Sequence, residues 1–284
     1  MASFRKTGSI SLARELAIDD PVLRSHISLG VASCPFNSKD WDIAPNSATA
    51  LKRAERDVAM GMSSPTEGIF VSGDDANIMF VHAMIVGSFD TPYEGGFFQF
   101  MVRFGPNYPF DPPRVCCMSS YRYGHVVRFN PNFYEDGTVC LSILGTWEGP
   151  SWAATNTLSS LLLSIQSMLS AEALCNEPGY ERLRGCNASS VTNFDIYARH
   201  ETLRVAVVET LRHAEGFRIP AQLVEVMRNL FFEYYDAYIE SCDQYAMYDN
   251  KTMQVSLLSK NFVPNFKEIK KNLTALHSEL QAKL

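Results

Sequence analysis

Four short strand-like runs lie close together in the first half of the chain, and they constrain its fold more than any other feature. The runs cover Ile69–Ser72, Ile78–Gly87, Phe97–Phe104 and Arg114–Met118. Each link between them is shorter than the dozen or so residues that a crossover between parallel strands requires, and turn residues such as Asp90-Thr91-Pro92 and Gly95-Gly96 occur in the links. The pattern therefore predicts an antiparallel meander.

The third run indicates how this sheet is buried. It alternates with the period of two that is typical of a strand. Its apolar positions on one face are Phe98, Phe100, Val102 and Phe104. Gln99 and Arg103 lie on the other face. We therefore expect the aromatic face to meet the hydrophobic core.

Two helices are predicted beside the sheet. The first follows Ser47, which is a suitable N-cap, and ends at Ser63-Ser64-Pro65. The second covers residues 158–169, where apolar residues recur at helical spacing, and it is predicted to cross the sheet as the core helix. Its expected buried stripe consists of Leu158, Leu161, Leu162, Ile165 and Leu169.

Three further helices are predicted after Asn193. The first carries Leu203, Val207 and Leu211 at intervals of four residues, and the second begins at Pro220, a residue suited to a first helical turn. The third has its apolar residues at Phe266, Ile269, Leu273, Leu276 and Leu280. We expect these helices to dock on the core. The alternative is that their apolar faces form a groove for a partner.

Composition argues against two classes of partner. The 284-residue chain has a net charge of −6 and a pI near 5.6, whereas nucleic-acid binding needs a basic surface. No apolar run in the sequence reaches the roughly 18 residues of a membrane span, and the N-terminus lacks the apolar block of a signal peptide. We expect neither a nucleic-acid nor a membrane partner, and a location in the cytoplasm, with the nucleus as a second site.

The chain contains seven cysteines. They are Cys34, Cys116, Cys117, Cys140, Cys175, Cys186 and Cys242. None occurs in a C-x-x-C arrangement, so the spacing indicates neither a zinc site nor a redox pair. In a reducing compartment most of them are expected to be buried, inert thiols. Cys140 differs because of the residues that precede it.

The segment Phe129–Cys140, with the sequence FNPNFYEDGTVC, places a cysteine eight positions after Asn132. A Pro-Asn and an Asp-Gly turn signal lie in between, so we expect a folded-back loop that brings the two side chains together. A thiol supplies a nucleophile, and a carboxamide supplies an uncharged donor for a developing oxyanion. The alternative for Asn132 is that its side chain only satisfies hydrogen bonds of the turn.

The order of Asn130-Pro131-Asn132, Cys-Leu-Ser-Ile-Leu from Cys140 and then Trp152 resembles the active-site segment of ubiquitin-conjugating enzymes. Earlier segments that resemble the same family, in the same order, are ALKR at Ala50–Arg53, DTPYEGGFF at Asp90–Phe98 and YPFDPPRV at Tyr108–Val115. The usual family tripeptide is His-Pro-Asn, so Asn130 is a departure. The segments NPNFY, LGTWEGP, NEPGYE, RHETLRVAV and EYYDAY resemble Z-type members of the family, in which Asn takes that place.

The resemblance implies an α+β fold, the ubiquitin-conjugating fold. It consists of a four-stranded antiparallel meander sheet, an N-terminal helix, a central core helix and, in this chain, a helical C-terminal extension. The predicted domains are a loosely ordered N-terminal arm at residues 1–46, a catalytic core at residues 47–192 and the extension at residues 193–284. Within the arm, a short helix around Ser11–Ile18 is predicted.

The chemistry that the resemblance implies is two acyl transfers on one sulfur. Cys140 accepts ubiquitin or a ubiquitin-like modifier as a thioester from an activating enzyme and passes it to a lysine of a protein substrate, usually with a ubiquitin ligase. The upstream enzyme uses the ATP, so we expect no cofactor and no metal here. Resemblance to Z-type members implies pairing with the alternative ubiquitin-activating enzyme.

The resemblance also assigns roles to single residues. Asn132 is expected to stabilise the oxyanion or to hold the loop that does so. Glu177 matches the position of an acidic residue that orients or desolvates the attacking amine, although a solvated loop carboxylate is the alternative. Asn130, Pro131 and Trp152 are expected to support the active site. Phe110 matches the exposed apolar position that ligases contact.

Two other functions stay open at this point. A catalytically weak, ubiquitin-binding scaffold would share the fold, although the presence of Cys140 argues against it. A cysteine hydrolase would need a histidine base. His82, His125 and His200 are present, but their sequence positions do not indicate which of them approaches Cys140.

Overall fold

The computed structural model describes residue 36 and residues 39–42, 45–120, 126–217 and 219–283. The helix predicted at Ser11–Ile18 and most of the N-terminal arm lie outside these ranges. Within the described ranges, no helix is both long enough and apolar enough to cross a membrane.

The predicted meander is present as a four-stranded antiparallel sheet with the order β1-β2-β3-β4. Its strands are β1 (Ile69–Gly73), β2 (Phe80–Val86), β3 (Phe97–Arg103) and β4 (Arg114–Cys117). The strands follow one another in space as they do in the chain because the links between them are too short for a crossover. The prediction of an antiparallel meander is confirmed.

Helix α1 (Ala48–Ser63) begins where its N-cap was predicted, because the Ser47 hydroxyl accepts a hydrogen bond of 3.1 Å from the Ala50 amide. Helix α2 (Leu158–Gln166) lies against the sheet, and all five residues of the predicted stripe are at most 1% exposed. The helix ends at Gln166, three residues earlier than predicted, yet Leu169 is still part of the core.

A buried carboxylate joins α1 to α2 and to the proline-rich link between β3 and β4. Asp57 is 3% exposed and accepts a hydrogen bond of 3.0 Å from Arg53 and one of 3.3 Å from the Leu158 amide. The Tyr108 hydroxyl also donates to Asp57. A buried charge is tolerated when it is paired and hydrogen-bonded, so this network fixes the relative positions of the three segments.

The C-terminal extension contains the predicted helices and one hairpin that was not predicted. Helix α3 (Ser189–Glu201) continues through a π-helical segment (Thr202–Glu209) into the short helix α4 (Thr210–Arg212). Helix α5 (Ala221–Tyr245) follows Pro220, and helix α6 (Phe266–Gln281) ends the described chain. Between them, β5 (Met253–Val255) and β6 (Lys260–Phe262) pair antiparallel. The predicted domain boundary at residue 193 falls within α3.

The apolar faces of the extension are docked on the rest of the protein, as expected. Phe231 and Leu273 are completely buried, and α5 packs against α6. The extension covers the sheet face that carries Gln99, whose Nε2 lies 3.5 Å from the Met227 sulfur. Gln99 is only 4% exposed, so both faces of β3 are buried at this point.

Gly95 shows how closely the extension approaches the link between β2 and β3. The Tyr238 hydroxyl donates a hydrogen bond of 2.7 Å to the Gly95 carbonyl. A Cβ atom at Gly95 would lie 2.6 Å from the Tyr238 ring, and the backbone φ of +68° also favours glycine. The docking of the extension therefore depends on the absence of a side chain at this position.

The described residues of the N-terminal arm are packed on the sheet. Phe36 is 2% exposed and meets the Phe80 ring edge to face at 6.0 Å. The Trp41 ring lies 3.8 Å from the Arg114 guanidinium, and Asp40 accepts two hydrogen bonds of 2.7 Å from the same guanidinium. Cation–π and ionic contacts thus join the described end of the arm to β4, and the loose order of the arm as a whole stays a prediction.

Candidate active site

The segment that carries Cys140 folds back on itself, as its turn signals predict. Short β-bridges join Phe133 to Asn130 and to Val139. At the tip, the Asp136 carboxylate accepts a hydrogen bond of 2.8 Å from the Thr138 amide, which is the side-chain turn typical of Asp. The loop therefore has a defined shape that is set mainly by its own residues.

Asn132 and Cys140 are brought together by two hydrogen bonds. The Cys140 amide donates to the Asn132 carbonyl at 2.8 Å, and Nδ2 of Asn132 donates to the Cys140 carbonyl at 2.9 Å. Among the described residues, the buried Oδ1 of Asn132 has no hydrogen-bond partner. The carboxamide thus holds the loop at the nucleophile, and its direct contact with an oxyanion stays a prediction.

Thr146 was not predicted, yet it shapes the pocket of the thiol. Sγ of Cys140 lies 2.9 Å from the Thr146 carbonyl, to which the thiol donates. The Thr146 hydroxyl accepts from the Leu141 amide at 2.9 Å and donates to the Val139 carbonyl at 2.8 Å. Residues 139–146 therefore form a tight turn around the cysteine, which is 6% exposed.

The surroundings of Cys140 favour the neutral thiol. Burial raises its pKa, a hydrogen bond from Tyr134 lowers it, and the negative charge of Glu177 raises it. The contact with Thr146 and the positive charge of Arg128 lower the pKa, but the balance still lies above the ordinary value. The resting enzyme therefore carries a protonated nucleophile near neutral pH, since the ordinary pKa of a thiol is already above 8.

Asn130 is completely buried and fixes the loop to the core. Its Nδ2 donates to the Met168 carbonyl at 2.7 Å and to the Tyr93 hydroxyl at 3.0 Å, while its Oδ1 accepts from the Asn132 amide at 2.9 Å. Both the donor and the acceptor ends of this amide are used. An amide that cannot titrate thus joins the end of α2 to the active-site loop.

A charged cluster lies next to Pro131 and was not predicted. Arg128 donates to the Pro131 carbonyl at 2.9 Å, and its guanidinium carbon lies 4.5 Å from the centre of the Tyr134 ring. The same guanidinium lies 3.8 Å from the Glu177 carboxylate. Arg128 and Tyr134 are both within two residues of the Asn-Pro-Asn tripeptide, which is the only sequence signal that could have indicated them.

Glu177 reaches this cluster from a separate part of the chain. It follows the 3-10 turn Ala173–Asn176, and its amide donates to the Leu174 carbonyl at 3.0 Å. Its side chain is 28% exposed, so it faces both Arg128 and solvent. The negative charge of Glu177 contributes to the raised pKa of the Cys140 thiol, and its role in the reaction stays a prediction.

Trp152 and Phe110 lie together at the proline-rich link. Nε1 of Trp152 donates to the Pro109 carbonyl at 2.7 Å, and its ring lies 6.1 Å from the Tyr108 ring. Trp152 therefore supports this link, one of whose residues is Phe110. The Phe110 side chain is 64% exposed, as a partner contact requires, and its role in ligase binding stays a prediction.

The histidines have other partners. His200 lies 2.8 Å from Glu201 and between the rings of Phe262 and Phe266. His82 lies 3.6 Å from Asp74. Among the described residues, no histidine is one of the groups that shift the pKa of Cys140, and His125 lies outside them. The cysteine hydrolase alternative therefore has no base in the described site.

Comparison with known proteins identifies the class to which this fold and site belong. The family model described as ubiquitin-conjugating enzyme matches residues 53–185, which include the sheet, the Cys140 loop, α2 and Glu177. The chain belongs to the ubiquitin-conjugating enzyme family, and it is therefore a transferase that acts through a cysteine thioester.

Individual relatives are similar over more of the chain. "Ubiquitin-conjugating enzyme E2 Z" of Xenopus tropicalis is 42% identical over 250 residues, which are 88% of this chain and 78% of the relative. The Homo sapiens protein of that name is 44% identical over 221 residues, which are 78% of this chain and 60% of the relative. The human dual ubiquitin-conjugating enzyme and ubiquitin-protein ligase BIRC6 is 39% identical over 185 residues, or 62% of this chain and 4% of the relative.

Proposed function

We propose that this ubiquitin-conjugating enzyme accepts ubiquitin, or a related modifier, on Cys140 and passes it to a lysine of a protein substrate. One observation supports the proposal most directly. Cys140 and Asn132 are joined by two reciprocal hydrogen bonds, so a nucleophile and an uncharged donor are held side by side. This is the arrangement that acyl transfer requires.

In the charging step, Sγ of Cys140 attacks the carbonyl carbon of the thioester on the activating enzyme. A new carbon–sulfur bond forms, the bond to the activating enzyme breaks, and its sulfur leaves with the proton that Cys140 gives up. Nδ2 of Asn132 carries two hydrogens, and the Cys140 carbonyl accepts one of them. The proposal gives the second hydrogen to the oxyanion of the intermediate.

In the transfer step, a lysine amine attacks the same carbonyl carbon, and Cys140 leaves as the thiol with the proton that the amine gives up. A free lysine has a pKa near 10.4, so its ammonium form must lose a proton before attack. The proposed role of Glu177 is to orient this amine. Its partial exposure, at 28%, leaves the carboxylate accessible from solvent for an approaching side chain.

We further propose a ligase contact, an upstream partner and a location. Phe110 is an exposed apolar residue on a link that Trp152 and Tyr108 support, so it is a suitable ligase contact. The similarity to proteins named ubiquitin-conjugating enzyme E2 Z supports pairing with the alternative ubiquitin-activating enzyme. We place the activity in the cytoplasm, with the nucleus as a second site, and fluorescence microscopy of the tagged full chain would test this.

The proposed function is tested by charging with ubiquitin, activating enzyme and ATP. The parent should form a thioester that reductant cleaves. Cys140→Ser should form an ester that resists reductant but is cleaved by base, because oxygen is the poorer leaving atom. Cys186→Ser is the matched control, since Cys186 is an exposed cysteine within the predicted catalytic core, residues 47–192. Normal charging of Cys140→Ala would contradict the proposal.

The same assay separates the enzyme from the scaffold alternative. A catalytically weak scaffold would bind ubiquitin without forming the adduct on Cys140. Parallel reactions with both ubiquitin-activating enzymes and with ubiquitin-like modifiers would show which pair is used. Charging by one activating enzyme alone would identify the upstream partner.

A further inference from the structure

Arg128 lies between an aromatic ring and a carboxylate that both influence the pKa of Cys140. Its guanidinium carbon is 4.5 Å from the centre of the Tyr134 ring, which is within the range of a cation–π contact. Its Nη2 is 3.8 Å from Oε2 of Glu177. The Arg128 side chain therefore contacts Tyr134 and Glu177, which come from separate segments of the chain.

The loop backbone fixes the position of this guanidinium. Nη2 donates a hydrogen bond of 2.9 Å to the Pro131 carbonyl, inside the Asn-Pro-Asn tripeptide. The Arg128 side chain is only 16% exposed, and its buried Nε has no hydrogen-bond partner among the described residues. Leaving a buried donor unsatisfied is unfavourable. The conformation is thus held by the other contacts of the guanidinium.

The two partners of Arg128 act on Cys140 in opposite directions. Tyr134 donates a hydrogen bond that favours the thiolate, whereas the charge of Glu177 disfavours it. The positive charge of Arg128 favours the thiolate. Among the described residues, Tyr134, Glu177 and Arg128 are the titratable groups that shift the pKa of this thiol, so removing any one of them should change the balance.

We propose that Arg128 is a positioning residue for the transfer reaction. It holds the Tyr134 hydroxyl and the Glu177 carboxylate at the Cys140 thiol, and its charge offsets the charge of Glu177 when negative charge develops on the sulfur. This inference rests on the proposed function, because it assigns a device to the same site.

The geometry distinguishes this role from that of a simple positive charge. A planar guanidinium can stack on Tyr134 with its face while its edge meets Pro131 and Glu177. A lysine at this position would supply the charge but not the planar face that lies over the Tyr134 ring. Arg128→Lys should therefore separate the electrostatic effect from the positioning effect.

The test uses the full chain and four variants: Arg128→Met, Arg128→Lys, Glu177→Gln and the double variant Arg128→Met/Glu177→Gln. The first measurement is the pH profile of Cys140 alkylation by iodoacetamide, followed on the Cys140 peptide by mass spectrometry because Cys186 is also exposed. The second measurement is single-turnover discharge of the preformed thioester to free lysine. Alkylation needs no ubiquitin, so it tests Arg128 even if the proposed function fails.

Arg114→Met is a closely matched control. Arg114 is 19% exposed, its guanidinium lies 3.8 Å from the Trp41 ring, and it pairs with the Asp40 carboxylate at 2.7 Å. It thus makes the same two kinds of contact as Arg128, but at the edge of the sheet. Melting temperatures of all variants show how much each change affects folding.

Arg128→Met should raise the midpoint of the alkylation profile, with a corresponding loss of thiolate at a fixed lower pH, and should slow lysine discharge. The double variant should bring the midpoint back to that of the parent or below it, because both opposing charges are gone and the charge of Glu177 acts more strongly on the thiol. Arg128→Lys should restore the midpoint but not the discharge rate. Arg114→Met should match the parent in both measurements.

Two results would overturn the inference. The first is an Arg128→Met protein whose alkylation midpoint and discharge rate equal those of the parent. The second is a shifted midpoint that persists unchanged in the double variant, since this would mean that Arg128 acts only by supporting the loop. Full recovery of discharge in Arg128→Lys would refute the positioning role and leave only the charge.

Discussion

The Cys140 loop and the C-terminal extension are both well packed, but they are held by different forces. In the loop, both ends of the Asn130 amide and Nδ2 of Asn132 meet named partners, at distances between 2.7 and 3.0 Å. In the extension, buried apolar residues such as Phe231 and Leu273 dominate. Hydrogen bonds are directional and burial is not, so the loop is suited to precise chemistry and the extension to support.

The difference implies that the two regions respond differently to substitution. A change in the loop should alter the rate of transfer more than the stability of the fold. A change in the extension should alter stability first, because each fully buried large side chain contributes about 1.5–3 kcal/mol. Four experiments test this difference between the Cys140 loop and the C-terminal extension.

Truncation after Asn193 should have the largest effect. It removes α5 and α6, exposes the sheet face around Gln99 and cuts α3 within its helical span. The free energy of burial that is lost is comparable to the roughly 5–15 kcal/mol that stabilises a typical domain. We therefore expect a far lower melting temperature or an unfolded chain. Differential scanning calorimetry and charging with both activating enzymes would measure this. An unchanged melting temperature with unchanged charging would show that the extension has neither a stabilising nor a selective role.

Leu273→Ala is the milder test of the same region. Leu273 is completely buried on α6, and removing its side chain should lower the free energy of unfolding by about 2–5 kcal/mol because a cavity remains. Urea titration would give this value. Met247→Ala is the control, since Met247 is 63% exposed and should change little. If Leu273→Ala slowed lysine discharge at full stability, the contrast between the regions would fail.

Asn132→Ala should slow the single-turnover discharge of the thioester to lysine by about 10²–10³ if its amide stabilises the oxyanion. Thioester loading and the melting temperature should change less. Asn156→Ala is the matched control, because the Asn156 side chain accepts a hydrogen bond of 2.8 Å from the Ala153 amide in an ordinary turn. Equal discharge rates for the Asn132→Ala protein and the parent would mean that the Asn132 side chain only satisfies hydrogen bonds of the turn.

Glu177→Gln should have the smallest effect and opposite signs in two assays. The negative charge of Glu177 raises the pKa of the Cys140 thiol, so its removal should lower that pKa and speed alkylation of Cys140 near pH 7. Lysine discharge should become slower near neutral pH, because the amine loses its orienting carboxylate. Both rates are measured from pH 6 to 10. A discharge defect of the same size at every pH would mean that Glu177 orients the amine without assisting its deprotonation, and an unchanged discharge rate would contradict a role of Glu177 in the transfer step.

Much of the fold follows from local sequence patterns. The strand β3, the N-cap at Ser47 and the stripe from Leu158 to Leu169 are encoded by neighbouring residues, and the structure contains all three, although burial in β3 does not alternate because the extension covers its second face. The hairpin of β5 and β6 escaped prediction because three-residue strands are too short to show a period of two. The π-helical segment Thr202–Glu209 was also missed, since its apolar spacing resembles that of an α-helix.

Part of the active site was predictable in the same way. The turn signals between Asn132 and Cys140 lie within one short segment, and the loop folds as they indicate. The positions of Glu177 and Phe110 were inferred from resemblance, and the structure adds their contacts and exposure. The role of Thr146 at the thiol had no motif to indicate it.

The meander, the two core helices and the proximity of Asn132 to Cys140 follow from the sequence alone, because each depends on residues that are close along the chain. Only the tertiary structure decided that Arg128 joins Tyr134 to Glu177, and that Gln99 is covered by the extension. The contacts of Arg128 with Glu177 and of Gln99 with the extension connect segments that are far apart in the sequence. Their geometry results from packing of the whole core, which no local period or turn signal encodes.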